Sequence, residues 1–432
     1  MLLTQAPKGT QDVLPQDSYR WQDAERIMRE TCAKYGFREA RTPVFEHTEL
    51  FLRGVGDTTD VVQKEMYTFM DKGNRSITLK PEGTAGIARM FLENKIYAQA
   101  LPSKIYYVSC PVFRYEKPQA GRLREHHQMG VEVFGAADAS CDAEVISLAD
   151  ELLRRYGIGG VKLMINSIGC PECRKAYNDV LKAYLRPKLH ALCDTCRDRF
   201  ERNPLRILDC KEKKCQAELT DAPSMLDCLC DGCREHFEKL KKYLAALEIP
   251  YEIDSRIVRG LDYYTRTVFE FVTQTPAGKL TVCGGGRYDG LVEQLGGPAT
   301  PGMGFGMGVE RLIMTQDACG VAPKAPRLYD AFVIAVQDEA REAGMKLVRE
   351  LRGAGVNCDM DHAARSLKAQ FKYADKQRVG LVVIIGPDEL ENGVVKLRDM
   401  ATGEEENLDR EVAVAKITGR IKTEESYVTD RI

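Results

Sequence analysis

An α+β fold with an antiparallel sheet, interrupted by a helical insertion and followed by a separate α/β domain, is predicted by three features of this 432-residue sequence. The first 165 residues mix helical periodicity with strand runs joined by hairpin-type loops. Residues 166–250 carry nine of the fifteen cysteines (Cys170, Cys173, Cys193, Cys196, Cys210, Cys215, Cys228, Cys230, Cys233) and few strand signals, which reads as a small helical insertion. Beyond Pro-Lys-Ala-Pro-Arg at 323–327, strands alternate with helices at the spacing of a compact α/β unit.

The elements follow in order. Trp21, Ala24, Ile27, Met28 and Thr31 share one face of a helix over Ser18–Lys34. Thr42–Phe45 reads as a short strand, and Pro81–Asn94 as a turn leading into a helix through Ile87, Met90, Phe91 and Leu92. Lys104–Glu116 and His126–Phe134 form strands around a Gly/Pro/Arg loop, a hairpin signature. Cys141–Tyr156 is helical and stops at Gly157. Glu252–Arg311 returns to strands and ends in a helix from about Val309. In the last domain, Ala331–Val336, Val356–Met360 and Leu381–Ile385 are strands, Glu339–Gly353 and Ser366–Arg378 are helices, and a hairpin and a final helix close the chain. The domain reading is therefore 1–325, interrupted by 166–250, then 328–425.

Composition narrows the function classes. With 44% hydrophobic and 29% charged residues the chain is an ordinary globular one, and a net charge of −2 provides no global basic field. Any nucleic-acid contact must come from a local patch. Met1–Lys8 lacks the apolar core of a signal peptide, and no run reaches the roughly 18 apolar residues of a membrane helix. A cytoplasmic protein with no membrane partner is expected, with cysteines acting as metal ligands or plain thiols.

Four stretches stand out chemically. Arg259-Gly-Leu-Asp-Tyr-Tyr-Thr-Arg266 gathers an arginine, an acid and two tyrosines before the strand run Val268–Val272, a set suited to a small ligand with charge and ring nitrogens. On a regular backbone Tyr263 and Tyr264 point oppositely, which leaves one of them for packing. In the hairpin, Gln128, Gly130, Glu132 and Phe134 share one strand face, with Met129, Val131 and Val133 on the core side. Arg114 and Glu116 share a side of the facing strand, so an arginine, two carboxylates and an amide converge; the bland alternative is a solvated face with cross-strand ion pairs. Gly302, Gly304, Gly306 and Gly308 alternate with Met303, Phe305 and Met307, a strand with one bulky face and one bare strip on which a flat ring could lie. Arg311 follows at a helix start, placed to stack on that ring or reach a phosphate. The fourth stretch is Gly284-Gly-Gly-Arg-Tyr-Asp-Gly290. A dinucleotide fingerprint does not fit the spacing, and no phosphate-binding G-x-x-x-x-G-K-[ST] loop is present, so arginines and a metal must clamp any ATP. Glu82 and Thr84 could hold an ammonium group or could serve as a helix cap with a first-turn acid.

Two further patterns carry weaker readings. Cys170-x-x-Cys173 and Cys193-x-x-Cys196, with nineteen residues between them, have the spacing of a structural zinc site. Cys210, Cys215, Cys228, Cys230 and Cys233 add a second set, and half-buried thiols are the alternative. Lys368, Lys372 and Lys376 recur on one helix beside Arg365 and Arg378, a stripe suited to RNA phosphates or to plain solvation.

Together the four stretches resemble the histidyl-tRNA synthetases, a class II aminoacyl-tRNA synthetase family, over nearly the whole chain from Pro7-Lys-Gly-Thr-Gln-Asp-Val-Leu-Pro15 onward. Phe113-Arg-Tyr-Glu116 through Glu132 looks like class II motif 2 and Gly302–Arg311 like motif 3, while Arg259–Arg266 and Gly284–Gly290 resemble the signatures particular to this family. The resemblance implies an antiparallel catalytic sheet, an anticodon-binding α/β domain, a homodimer, and ATP-dependent ligation of L-histidine to tRNA(His) through histidyl-adenylate, with Mg2+ accompanying ATP. The family does not require zinc.

By motif position, Arg114 grips the α-phosphate and the substrate carboxylate, Arg259 neutralises charge at the α-phosphate, Arg311 stacks on adenine and Glu116 touches it. Glu82, Thr84 and Gln128 hold the α-amino group, Glu132 and Tyr264 bracket the imidazole, and Tyr263 and Tyr288 line the pocket. The loop Lys117–Glu125, with Lys117, Gln119 and Arg122, meets the tRNA acceptor end. The competing reading is a histidine-binding regulatory paralogue that partners ATP phosphoribosyltransferase. Such paralogues typically lack the C-terminal domain and lose the ATP motifs, which are intact here.

Overall fold

The computed structural model describes residues 4–56, 59–118, 121, 123–275 and 278–429, apart from the side chains of Thr275 and residues 424–429. Two compact units result, Met1–Pro323 and Lys324–Ile432.

The first unit runs α1 (Ser18–Lys34), β1 (Arg38–Glu39), β2 (Phe45–His47), α2 (Thr48–Gly54), β3 (Tyr67–Met70), β4 (Ser76–Leu79), α3 (Thr84–Glu93), β5 (Ser103–Phe113), β6 (Glu125–Phe134), α4 (Ala139–Arg155) and β7 (Lys162–Ser167). The insertion follows as α5 (Pro171–Leu185), α6 (Asp194–Arg202), α7 (Lys213–Glu218) and α8 (Asp231–Ala246), linked by 3-10 turns. The unit closes with β8 (Tyr251–Ile253), β9 (Thr265–Thr275), β10 (Gly278–Arg287), α9 (Leu291–Gln294), β11 (Gly302–Gly308) and α10 (Val309–Cys319).

Among the described residues an eight-stranded sheet has the order β1-β5-β6-β11-β10-β9-β7-β8. Its six inner strands pair antiparallel, while the edge strands β1 and β8 add parallel. One face is dry. Met129, Val131 and Val133 of β6, Met303, Phe305 and Met307 of β11, and Phe269 and Phe271 of β9 pack against α1, α4, α8 and α10. Each fully buried side chain of this kind contributes about 1.5–3 kcal/mol, which explains why bulky residues alternate with glycines along β11. α4 begins where Asp138 caps the N–H of Ser140 at 2.9 Å and ends before Gly157, whose φ of 73° suits a residue without a Cβ. The insertion leaves the sheet after β7 and re-enters at β8.

Three sequence expectations shift. The strand expected at Thr42–Phe45 forms instead at Phe45–His47, and it pairs with β4 in a small sheet of order β2-β4-β3 that the sequence reading did not include. β5 ends at Phe113, so Arg114 and Glu116 lie beyond the strand and are not held on its face. From Met129 to Phe134 both faces of β6 are buried, with Phe134 stacked on Phe91 of α3 at a ring-centroid distance of 4.5 Å, while Glu125–Gln128 stay half-buried.

The second unit contains β12 (Ala331–Ala335), α11 (Asp338–Gly353), β13 (Cys358–Met360), α12 (Leu367–Lys376), β14 (Leu381–Ile385), α13 (Pro387–Asn392), β15 (Val394–Asp399), β16 (Glu405–Asp409) and α14 (Arg410–Thr429). Its sheet order is β13-β12-β14-β15-β16, parallel through the first three strands and antiparallel after. β12 and β14 are buried throughout, as the continuous apolar runs Ala331–Ala335 and Leu381–Ile385 require when helices cover both faces.

Candidate active site

Strand register builds the floor of the site. Tyr107 of β5 lies opposite Gly130 of β6, Gly130 opposite Gly306 of β11, Gly306 opposite Gly284 of β10, and Gly284 opposite Glu270 of β9. Directly paired residues share a sheet face. The result is a row across five strands, with a tyrosine at one end, a carboxylate at the other and three glycines between.

This differs from the bare strip expected along β11. A Cβ at Gly302 would lie 2.2 Å from the ring of Tyr288, and one at Gly304 would lie 2.1 Å from Glu132 Oε2, so those two glycines admit neighbouring side chains. Among the described residues Gly306 has nothing within 4 Å of a Cβ position, and it is an open point of the floor. The free space therefore runs across the strands rather than along one.

Above this floor is a cavity of about 290 Å³. Glu82, Thr84, Arg114, Gln128, Arg259, Tyr263, Tyr264 and Arg311 all line it, drawn together from β6, the start of α3, the start of α10 and two loops. Arg259 lies over Gly284, where a Cβ would come within 2.4 Å of Nη1, and donates from that nitrogen to Glu270 Oε1 at 2.6 Å. Thr281 Oγ1 donates to the second oxygen of Glu270 at 3.0 Å. Among the described residues the buried Nε of Arg259 has no hydrogen-bond partner. Arg114 is held by donation from Nε to Pro81 O at 2.9 Å, and Arg311 by donation to Gly121 O and Thr281 O, both at 3.2 Å. Three guanidinium groups thus face one cavity, which fits a polyanion.

The other end is acidic and aromatic. Glu82 accepts from the N–H groups of Thr84 and Ala85, both at 2.7 Å, so this acid, rather than Thr84, caps α3. Thr84 Oγ1 donates to Glu132 Oε1 at 2.7 Å, Tyr288 OH donates to Glu132 Oε2, and Tyr107 OH lies 3.4 Å from Oε1. Burial pushes the Glu132 carboxyl up to about 8; the hydroxyls of Tyr288 and Thr84 act against this, and the neighbouring Glu82 adds to it. Burial likewise raises Glu82 above the ordinary carboxylate range. Glu132 and Tyr288 sit one layer behind the cavity lining, reached through Thr84 and Tyr107.

Tyr263 and Tyr264 both face the cavity, with ring centroids 4.7 Å apart. The opposite orientation expected of a regular strand fails because 261–263 form a bend and turn, and β9 starts only at Thr265. Glu116 does not line the cavity, since the chain has left β5 three residues earlier. Lys117 is exposed, whereas Gln119 and Arg122 lie outside the described residues.

Tyr107, Glu270 and Thr281 were not singled out by the sequence reading. The signal for Glu270 was visible: an acid between Phe269 and Phe271 on a core strand needs a partner. Arg287 of the Gly284–Gly290 stretch proves to be a structural residue. It is fully buried, donating to Asp142 Oδ1 at 2.7 Å, Asp289 at 2.8 Å and Ala136 O at 2.6 Å.

The four cysteines expected to share a zinc site are not brought together. Cys170 and Cys173 meet Cys230 and Cys233, whereas Cys193 and Cys196 meet Cys210 and Cys215. In the second unit Lys368, Lys372 and Lys376 are exposed along α12, while Arg365 is paired with Asp361 at 2.6 Å.

Residues 9–312 match the family model for histidyl-tRNA synthetase, and 330–420 match that for an anticodon binding domain. A histidine–tRNA ligase of Alkaliphilus oremlandii is 58% identical over 404 residues, covering 94% of this chain and 96% of the relative. One of Caldanaerobacter subterraneus subsp. tengcongensis is 55% identical over 421 residues, covering 98% and 100%. The crystal structure of an apo S. aureus histidyl-tRNA synthetase aligns with a TM-score of 0.83 at 37% identity, covering 96% of this chain and all of that one.

Proposed function

We propose, from the premise that this chain belongs to the histidyl-tRNA synthetase family and ligates L-histidine to tRNA(His), that the cavity over the glycine row is where histidine and ATP react. The observation carrying this reading is the arrangement of Arg114, Arg259 and Arg311 around one cavity whose far end holds Glu82, Thr84, Tyr264 and, behind them, Glu132.

In the first step a carboxylate oxygen of histidine attacks the α-phosphorus of ATP, and the bond to pyrophosphate breaks. In the second, the histidyl group passes to the terminal ribose of tRNA(His) and AMP leaves. Such chemistry is governed by in-line positioning and neutralisation of charge. Arg114 suits the substrate carboxylate and α-phosphate together, and Arg259, with its spare Nε, suits charge growing on the α-phosphate. Adenine would lie on Gly306, with Arg311 over it. Glu82, Thr84 and Gln128 take the α-amino group. Tyr264 takes the imidazole, whose ring offers one donor and one acceptor, with Tyr263 beside it, while Glu132 and Tyr288, one layer behind the lining, act on it through Thr84 and Tyr107. Magnesium would accompany ATP in this reading and neutralise phosphate charge. Of the two carboxylates lining the cavity, Glu82 is engaged by the Thr84 and Ala85 amides and Glu270 by Arg259 and Thr281, so the cation would be carried chiefly by the phosphates. Glu116 has no part in this assignment.

The resemblance is also the ground for expecting a homodimer acting in the cytoplasm. No helix of the described residues is long and apolar enough to cross a membrane.

ATP–pyrophosphate exchange without tRNA, run against each of the twenty amino acids, tests the assignment. Exchange with histidine alone supports it. No exchange, with histidine binding intact by calorimetry, would move the site to the regulatory-paralogue reading.

A further inference from the structure

The insertion contains three copies of one short pattern: Cys170-Pro-Glu-Cys173-Arg174, Cys193-Asp-Thr-Cys196-Arg197 and Cys230-Asp-Gly-Cys233-Arg234. In each, the first cysteine immediately precedes a helix, α5, α6 or α8. In two of them the arginine reaches back to the carbonyl just before the first cysteine, Arg197 to Leu192 O at 3.0 Å and Arg234 to Leu229 O at 3.1 Å. A repeated local geometry in a segment with no sequence repeat otherwise suggests a shared task.

The sulfur positions state what that task is. Cys170, Cys173, Cys230 and Cys233 have their Sγ atoms within 4.8 Å of one another, as do Cys193, Cys196, Cys210 and Cys215. Individual separations are 3.5 Å for Cys170–Cys173, 4.0 Å for Cys170–Cys230 and 3.8 Å for Cys193–Cys210. Four thiolates at about 2.3 Å from one tetrahedral zinc are about 3.8 Å apart, so each cluster has the dimensions of a mononuclear tetrathiolate shell. Disulfide bonds do not account for the arrangement, because all eight are free thiols.

Two backbone amides also point at sulfur: Cys230 N donates to Cys173 Sγ at 3.1 Å and Cys193 N to Cys215 Sγ at 3.2 Å. Such donation favours a thiolate over a thiol. Gly169, at φ 64°, permits the turn into the first cluster, since a Cβ there would meet the Cys173 Cβ at 2.4 Å.

We propose that the insertion holds two zinc ions, one in Cys170/Cys173/Cys230/Cys233 and one in Cys193/Cys196/Cys210/Cys215. The first ion ties the chain leaving β7 to the start of α8, which returns it to β8, and so closes the neck of the insertion. The second fixes the segment around Cys210, which together with Arg259, Glu270 and Thr281 lines a second cavity beside the reactive one. The ions would pin the starts of α5, α6 and α8 onto an insertion core that already buries Tyr177, Leu181, Leu185, Phe200 and Ile207. Zinc, having no redox chemistry, suits two closed four-sulfur sites with no open position. The inference is independent of the ligase reading, because it rests on sulfur geometry alone.

The test is the metal content of the full-length protein, produced in zinc-replete medium and purified without a metal-affinity step. Two zinc ions per chain are expected, falling to one in Cys230→Ser and to one in Cys193→Ser. Cobalt substitution of the unmodified protein should give two equivalents with the absorption of tetrahedral tetrathiolate cobalt, a readout that does not depend on either variant folding. Absence of stoichiometric metal, iron in place of zinc, or a single ion lost equally in both variants would each overturn the proposal.

Discussion

Arg259 and Glu270 meet over Gly284: Nη1 donates to Oε1 at 2.6 Å, in the space that a Cβ on Gly284 would occupy. The pair holds a guanidinium in place at the cavity wall before any phosphate arrives. The carboxylate itself comes from the neighbouring strand in register with that glycine.

Replacing Arg259 with alanine should therefore damage the chemical step more than ground-state binding. Adenylation, read as ATP–pyrophosphate exchange, is expected to fall about 100- to 1000-fold, the usual cost of losing one preorganised donor to transition-state charge. Histidine affinity by calorimetry should change only a few fold. Equal losses in both would mean that Arg259 serves ground-state binding or structure.

Glu132 sets a pH dependence whose sign follows from its burial. Its ordinary value is 4.5 and its folded value is pushed up to about 8, so the native state keeps a proton that the unfolded chain releases. That contribution to stability is whole below about pH 4.5 and is lost as pH rises through about 8. Glu132→Gln removes the titrating group. Urea midpoints should show the variant gaining on the parent between about pH 5 and pH 8, by an amount on the order of a few kcal/mol. The same variant should bind histidine more weakly, since an amide replaces the acid that holds Thr84 and Tyr107 of the cavity lining. A stability difference that stays flat with pH would place Glu132's titration outside this window.

The acid and the helices around it were largely legible in the sequence, and the row beneath them was not. Periodicity reaches as far as one element: it gave α1 through Ala24, Ile27 and Met28, and it sorted Met129 from Gln128. The meeting of Tyr107, Gly130, Gly306, Gly284 and Glu270 depends on register among five strands far apart in sequence, which no local pattern encodes. The cysteines failed for a related reason. Cys170-x-x-Cys173 pairs with a motif sixty residues away rather than with the next one along, because α5 and α8 start side by side at the neck of the insertion. Arg259 and Arg114, singled out by family signature, line the cavity, whereas Glu116, beyond the end of β5, is not among the residues that line it.

Arg287 and Asp142 form a fully buried pair, with Nε donating to Oδ1 at 2.7 Å, and His236 of α8 bonds the other oxygen of Asp142 at 2.8 Å. Asp142→Ala removes the inner carboxylate of the buried Arg287 guanidinium, leaving Asp289 as its remaining acid, and cuts the His236 tie between α8 and α4. A loss of about 3–5 kcal/mol is expected in denaturant unfolding. At temperatures where the variant remains folded its exchange activity should be close to that of the parent, because neither residue faces the cavity. A loss below about 1 kcal/mol would show that the pair is relieved by solvent entry.

The anticodon-binding domain offers a prediction that separates the two halves of the reaction. Lys368, Lys372 and Lys376 lie one turn apart on α12, exposed, and form no ion pair among the described residues. Charges in such a stripe act on a phosphate backbone by releasing counterions, so their effect is uniform along the RNA and strongly salt-dependent. Changing all three to alanine should raise the KM for tRNA about 10-fold or more at moderate salt and flatten the salt dependence of tRNA binding by up to about 2 in log–log slope. Pyrophosphate exchange, which needs no tRNA, should be untouched. A fall in exchange would mean that the substitutions perturb the fold. An unchanged salt slope would assign the stripe to solvation and move the RNA contact to another face of this domain.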